Sequence, residues 1–475
     1  MADLLRLGNR TGAVGGGNGR RTAAAGGAPL SSRPAGGTCL KSGGPARRPA
    51  KVSSRGERLA ARQPLCGAAG ALVPRQTDIF PSAQRLQWHD ALTRPVAQTG
   101  CLVSLSEVPA MRPFSLLPTA LLVAGLLLWS SSGQADEALL EQTVRAGSRY
   151  LTEIGQAEDG SFSAESGPAV TALAVTGLLR TGTPADAPVV RRGIDYLLSF
   201  CQPTGGIHPA DSRYANYETA IAVMALAASN ADGRYEEVIA KAEAFLKGLQ
   251  WDGGESIEPS DPAYGGAGYG SKARPDLSNT AFLIEALRAA GVAEDDPAIQ
   301  RALVFVSRTQ NLEGPANTMP FAAKNPDGGF YYTPANGGES QAGETPGGGL
   351  RSYASMTYAG LKSMIFAGLG RDDSRVQAAI EWLRKHYTFK ENPGMGDAGL
   401  YYFYQTAAKA LDVLGDEVFI DAAGGEHRWR EELVAELASR QQDDGSWINE
   451  NSRWLEGDPN LVTAYALLAL AACQE

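Results

Sequence analysis

The chain has 475 residues, of which 20% are charged and 43% hydrophobic, and its formal net charge is −9. The charge is unevenly spread: residues 1–110 hold 15 Lys and Arg against 5 Asp and Glu, and the remainder holds 28 against 47. An acidic body of this kind argues against nucleic acid or an anionic membrane as partner, and its length permits a large core.

Residues 1–110 are rich in Arg, Gly, Ala and Pro and have no sustained apolar period. Such a segment buries too little apolar surface to offset chain entropy, so disorder is expected. Met111-Arg112-Pro113, an apolar run from Phe114 to Trp129 and Gly133-Gln134-Ala135 then follow. That order of charge, apolar segment and small-residue site predicts a secretory signal peptide over 111–135. The run spans 16 residues and contains Pro118, which makes it short for a membrane span. Signal peptides stand at the start of proteins. The expectation is therefore that translation begins at Met111 and that 1–110 lies upstream of the true start; the alternative is a genuine extension followed by an anchor helix. The mature chain, 136–475, is then exported to the periplasm or beyond, with no stable membrane span, as a monomer. It retains Cys201 and Cys473, whose spacing implies no disulfide framework.

Six times after residue 136 a Gly-rich turn precedes a small-residue helix. Clean copies are Thr171-Ala172…Gly177-Leu178, Thr219-Ala220…Ala225-Leu226, Thr280-Ala281…Ala286-Leu287 and Thr463-Ala464…Ala469-Leu470, and weaker ones end at Gly360-Leu361 and Ala410-Leu411. Each is preceded by an amphipathic stretch, such as Val238, Ala242, Phe245, Leu246 and Leu249 at helical spacing. The predicted pairs, in order, are 138–156 with 168–180, 189–201 with 215–229, 235–249 with 278–290, 297–310 with 353–367, 373–387 with 399–413, and 428–441 with 460–472. A helix apolar on every side is surrounded by protein, so the second helix of each pair belongs inside. The last inner helix is as apolar as the middle ones, unlike the end repeat of an open solenoid. An all-α fold of six hairpins closed into a double ring is expected. Loops joining outer to inner helices then share one end, where the long segments 251–277 and 311–352 mark the mouth.

Phe245-Leu246…Gln250…Asp252-Gly253-Gly254, Phe305-Val306…Gln310 and Gln441…Asp444-Gly445-Ser446-Trp447 resemble the repeat of squalene cyclases and protein prenyltransferases. The resemblance covers nearly all of 138–472. Ser352–Met364 and Asn392–Leu411 look closer to secreted bacterial prenyltransferase and squalene oxidase repeat proteins. It implies an α/α toroid with an apolar central cavity. Cyclases of that superfamily that protonate an alkene carry Asp-x-Asp-Asp-Thr-Ala, and this chain has Asp276-Leu277-Ser278-Asn279-Thr280-Ala281. The proton-donating Asp of the family is thus replaced by Ser278, and a hydroxyl cannot protonate an alkene. Asp276 is either the cap of a helix or a carboxylate at the cavity mouth. The zinc of prenyltransferases requires Asp, Cys and His ligands. His208, His386 and His427 are isolated and no Asp-x-Cys occurs, so no metal and no cofactor is expected.

The two residues before the Thr position are Tyr217-Glu218, Ser278-Asn279, Ser352-Tyr353 and Tyr402-Phe403 in the central copies, but Ala169-Val170 and Leu461-Val462 at the ends. Polar and aromatic groups therefore gather on one arc. The candidate catalytic residue is Asp276, and the candidate ligand-binding residues are Tyr217, Glu218, Ser278, Asn279, Tyr353, Tyr402 and Phe403. Tyr214, Trp251, Tyr264, Tyr269, Phe330, Tyr331, Tyr332, Trp447 and Trp454 adjoin them in the loops, where they either face a ligand or pack the loops down. Aromatic faces suit isoprenoids and also sugar rings. The leading expectation is an exported toroid that binds an isoprenoid or other apolar molecule. The alternatives are a cyclase with a different acid, a polysaccharide lyase or carbohydrate-binding protein using Lys272, Arg274 and Asp276, and a non-enzymatic interaction module.

Overall fold

The computed structural model describes residues 136–270 and 273–474. The basic segment and signal peptide expected within 1–135, and Lys272, lie outside the described residues. Helix α1 covers 136–150 and continues as a single π-turn, Leu151–Gly155. It is followed by α2 (Pro168–Arg180), α3 (Pro188–Leu198), α4 (Ala215–Ala228), α5 (Glu236–Lys247) and α6 (Leu277–Ala289). Then come α7 (Pro297–Arg308), α8 (Ala354–Phe366), α9 (Ser374–Lys385), α10 (Leu400–Leu414), α11 (Trp429–Arg440) and α12 (Pro459–Gln474). A two-residue hairpin, β1 (Phe419–Ile420) with β2 (Glu426–His427), lies between α10 and α11 and has no counterpart in the expected elements.

The even-numbered helices form a closed inner ring. Each packs on the next, and α12 returns to α2. Outer helices lie in the grooves between inner neighbours, as α3 does against α2 and α4 and α7 against α6 and α8. Burial follows this arrangement. Every residue of α2 from Pro168 to Leu178 is buried, whereas α3 buries only Val189, Val190, Gly193, Ile194 and Leu197. The fold is an all-α toroid, as the repeat implies.

The repeated residues have identifiable tasks. Thr171, Thr219, Thr280 and Thr463 each accept the backbone N–H of a loop residue, namely Phe162, Ile207, Ala267 and Trp447. The Gly-rich turn is thereby pinned to its inner helix without an unsatisfied donor. In several copies a Gln before the turn makes a second clamp. Gln250 Nε2 donates to Gly265 of its own loop and to Ala298 at the start of α7. Gln310 does the same to Gly328 and Arg375, and Gln441 to Gly445 and Thr143. Through the last of these the sixth hairpin grips α1 and closes the outer ring. The turns fit closely enough to require glycine: at Gly265, with φ +83°, an added Cβ would lie 1.9 Å from the Arg301 carbonyl oxygen.

The fourth copy departs from its expected register. The residue that pins its turn is Thr357, which accepts the N–H of Phe330 at 3.1 Å. The residues two and one before the Thr position are therefore Ser355 and Met356, not Ser352 and Tyr353. Gly360-Leu361 imitates the Ala-Leu ending of the other copies, three residues early. The fifth hairpin uses Tyr404 at this place; its hydroxyl donates to the Phe389 carbonyl at 2.8 Å. Cys201 and Cys473 are both free.

Candidate active site: an aromatic chamber

At the end of the ring that carries the outer-to-inner loops lies a chamber of about 670 Å³. Its floor is a quartet of rings, one each from α4, α6, α10 and α12. Tyr217 meets Phe282 at 5.5 Å between centroids, Phe282 meets Tyr402 at 6.2 Å, and Tyr402 meets Tyr465 at 6.1 Å. A hydrogen bond between the Tyr465 and Tyr217 hydroxyls completes the circuit. Edge-on contacts of this sort are favourable beyond the area they bury. Above the floor, the long loops contribute Tyr269 and Tyr332, the loop between α11 and α12 contributes Trp454, and Tyr353 and Met356 come from the start of α8. Charged and amide groups sit around the opening. Arg274 and Glu339 pair with each other at 2.6 Å, and Gln341 accepts from Arg453 at 2.7 Å.

Two buried acids reach the chamber wall. Asp276 is the N-cap of α6: its Oδ1 accepts the Asn279 N–H at 2.9 Å and its Oδ2 accepts Asn279 Nδ2 at 2.8 Å. It is also hydrogen-bonded to Tyr332. Both expectations for Asp276 therefore describe the same residue, a cap that also borders the chamber. Burial pushes its carboxyl up to about 6 despite these donors. Glu456, which the sequence reading did not single out, caps a helix supplied by another hairpin. Its Oε1 accepts the Tyr402 N–H at 2.8 Å at the start of α10, and its Oε2 accepts Asn449 Nδ2 at 2.7 Å. Burial pushes Glu456 up to about 7. The lip beside it is strained: Trp454 and Leu455 hold φ of +58° and +67°, unusual for bulky residues. The Arg453 guanidinium stacks 4.0 Å from the Trp454 ring.

Of the candidate residues, the structure brings Tyr217, Asp276, Ser278, Tyr353 and Tyr402 to the chamber. The Ser278 and Tyr402 hydroxyls are hydrogen-bonded at 3.0 Å across the lumen. Glu218, Asn279 and Phe403, also expected to bind ligand, are not on its wall. Each follows a lumen-facing residue by one position, and one position turns a helix by about 100°. Glu218 is buried behind the wall and accepts from Ser212 at 2.6 Å, with burial pushing it up to about 6. Asn279 serves Asp276, and its Oδ1 has no partner. Phe403 packs against Tyr358, Phe389 and Tyr404. The loop aromatics divide. Tyr269, Tyr332 and Trp454 face the chamber, whereas Phe330, Tyr331 and Trp447 are fully buried as packing.

Each histidine among the described residues is held by local partners. His208 stacks on Phe245, His386 stacks on Trp382, and His427 lies between Asp421 and Glu432. Among the described residues no group of three His, Cys, Asp or Glu side chains is arranged to hold a metal ion. No helix there is long and apolar enough to cross a membrane.

A closed double ring with an aromatic chamber at one end places this chain with the α/α toroids, and among these it resembles the terpenoid cyclase superfamily. Residues 140–333 match the squalene-hopene cyclase C-terminal domain. No curated protein matches the chain. Similar solved structures include the type II terpene cyclase MstE from Scytonema. A variant bound to merosterolic acid A, its product, is 15% identical, with 71% of this chain and 98% of that chain covered and a TM-score of 0.44. A second MstE variant, without ligand, is 13% identical, with 72% and 98% covered and a TM-score of 0.46. A D-mannose isomerase is 11% identical, with 71% and 96% covered and a TM-score of 0.44.

Proposed function

We propose that this is an exported protein that binds an isoprenoid or a comparable apolar molecule in the aromatic chamber. The observation that carries the reading is the wall itself. Six tyrosines, Phe282 and Trp454 surround one space of about 670 Å³, and the Arg274–Glu339 pair stands at its edge. Such a volume lies within the ordinary range for ligand sites, and aromatic faces accept both C–H groups and developing positive charge.

The acids argue for binding rather than alkene protonation. An alkene is a very weak base, so its donor must be stronger than an ordinary carboxylic acid. Asp276 and Glu456 are displaced in the opposite direction, to about 6 and about 7. Both also spend their oxygens on N–H donors, which favours the ionised form for each contact made. In this reading Asp276 holds a polar group of the ligand through Tyr332 while the rings hold its hydrocarbon part. A glycan is the second reading, favoured by the pairing of Arg274, Glu339, Gln341 and Arg453 along the opening.

The experiment is to express the full chain in a bacterial host, locate it by fractionation, and identify what co-purifies by mass spectrometry. An extracytoplasmic protein carrying an isoprenoid that is lost in Tyr402→Ala supports the reading. Retained oligosaccharide supports the glycan, and a protein that stays empty when offered both classes refutes binding in this chamber.

A further inference from the structure

A second chamber, of about 330 Å³, lies at the opposite end of the lumen, and Phe282 borders both. It lies toward the C-terminal ends of the inner helices, and its walls are largely apolar, including Leu173, Met224, Phe366 and Leu468. A buried ion cluster stands at its wall. Glu285 of α6, 6% exposed, receives Lys362 of α8 on Oε1 and Lys409 of α10 on Oε2, the latter at 2.5 Å. Burial would raise Glu285, but the two ammonium groups outweigh it and hold its carboxyl at about 2. The cluster therefore sets two basic groups on one carboxylate, a surplus of one, with burial lowering Lys362 from its usual value and Glu285 opposing that.

The surplus has a direction. Lys362 is sealed, with 2% of its side chain exposed, whereas Lys409 keeps 27% and lies on the wall of the lower chamber. An ammonium group has three N–H donors. One of them goes to Glu285, and the Phe366 ring lies 5.7 Å from the nitrogen. The other carboxylate on this wall, Asp412, is engaged by Arg430 at 2.8 Å. Arg180 and Arg288 also border the chamber, in the last turns of α2 and α6, where cations complement the carbonyl ends of helices. Lys409 has no such role, since α10 runs on to Leu414. Lys409 keeps part of its ammonium group open to the chamber, so a carboxylate entering there meets a charge-assisted donor beside an apolar wall.

We propose that the lower chamber binds an organic carboxylate, with its head on Lys409 and a short apolar tail against Met224 and Leu468. The space is about eleven water volumes, which suits a small acid. It is a ligand site separate from the aromatic chamber and stands whatever occupies that one.

The test is calorimetric titration of the full-length protein with sodium butanoate, with hexadecanoate as competitor. Wild type should bind butanoate saturably. Lys409→Met should weaken binding at least tenfold and Lys409→Arg should largely retain it, while Tyr353→Phe in the upper chamber should leave it unchanged. Lys409→Met leaves Glu285 and Lys362 as a balanced pair, so the fold is expected to survive, which circular dichroism would verify. Displacement by hexadecanoate identifies a lipid tail, and its failure identifies a small acid; both uphold the site. Absence of saturable binding to wild type, or equal binding by folded Lys409→Met, overturns it.

Discussion

Replacing Asp276 by Asn should make the protein more stable at pH 8 and leave it unchanged near pH 3. The wild-type carboxyl is 2% exposed and pushed up to about 6 from an ordinary 3.8, chiefly by burial. For a carboxyl raised on folding, the native state binds the proton more tightly than the unfolded chain. Its contribution is therefore fully present below pH 3.8 and is lost as pH rises through 6. Raising a carboxyl from 3.8 to about 6 corresponds to roughly 3 kcal/mol. Asn keeps the cap, because Asn and Asp are similar at that position. It cannot ionise, so it escapes the loss. The contact with Asn279 Nδ2 reverses, and Asn279 has a buried Oδ1 without a partner that can take its place after an amide flip; the Tyr332 hydroxyl can accept as well as donate.

The assay is urea unfolding of wild type and Asp276→Asn between pH 4 and 8, with Asp276→Ala as reference. The Asn and wild-type curves should diverge as pH rises, by up to ~3 kcal/mol at pH 8. Asp276→Ala should lose about 1 kcal/mol or more throughout the lower range, because the cap and the bonds to Asn279 vanish together. Parallel pH profiles for wild type and Asp276→Asn would refute the reasoning, since they would mean that Asp276 does not carry the strain of burial. If Asp276→Ala loses stability but retains the chamber's ligand, Asp276 is a cap only.

Other expectations follow from the ring. Thr280→Val should cost roughly 1–3 kcal/mol by thermal or urea unfolding, because the buried Ala267 N–H loses its acceptor. Glu285→Gln should cost about 3–5 kcal/mol by leaving Lys362 buried without a counter-charge, and Glu285→Leu with Lys362→Leu should recover much of that loss. Gly265→Ala should cost more than ~2 kcal/mol, since a Cβ there meets the Arg301 carbonyl at 1.9 Å and φ is positive; Gly253→Ala, which meets nothing within 4 Å, should be nearly silent.

The parts legible in the sequence were those with a local period. Helix pairs, inner and outer faces and the loop-bearing end all follow from apolar spacing and from Thr, Gln and Gly recurring in order. Side-chain direction was less legible: Tyr217 and Tyr402 reach the lumen, but Glu218 and Phe403, next to them, do not, because neighbours in a helix point about 100° apart. Glu456 left no local trace. It caps α10 from a loop, 54 residues beyond the Tyr402 N–H that it accepts. The ion cluster was hidden for a different reason. Glu285 and Lys362 are 77 residues apart, and in the register suggested by Gly360-Leu361 they do not correspond. Once the hydrogen bond from Phe330 to Thr357 sets the fourth copy, Lys362 stands five residues after its Thr, as Glu285 stands five after Thr280. Lys409 stands five after Tyr404, and Thr176, Met224 and Leu468 complete the same layer. Two residues before the Thr position lie Tyr217, Ser278, Ser355 and Tyr402, all on the upper chamber. The repeat is thus a depth scale for the lumen, and its zero is set by a loop N–H whose partner the helix sequence alone cannot name. A three-residue error in that zero replaces Lys362 with Ala359 in the layer and conceals the layer that holds the ion cluster.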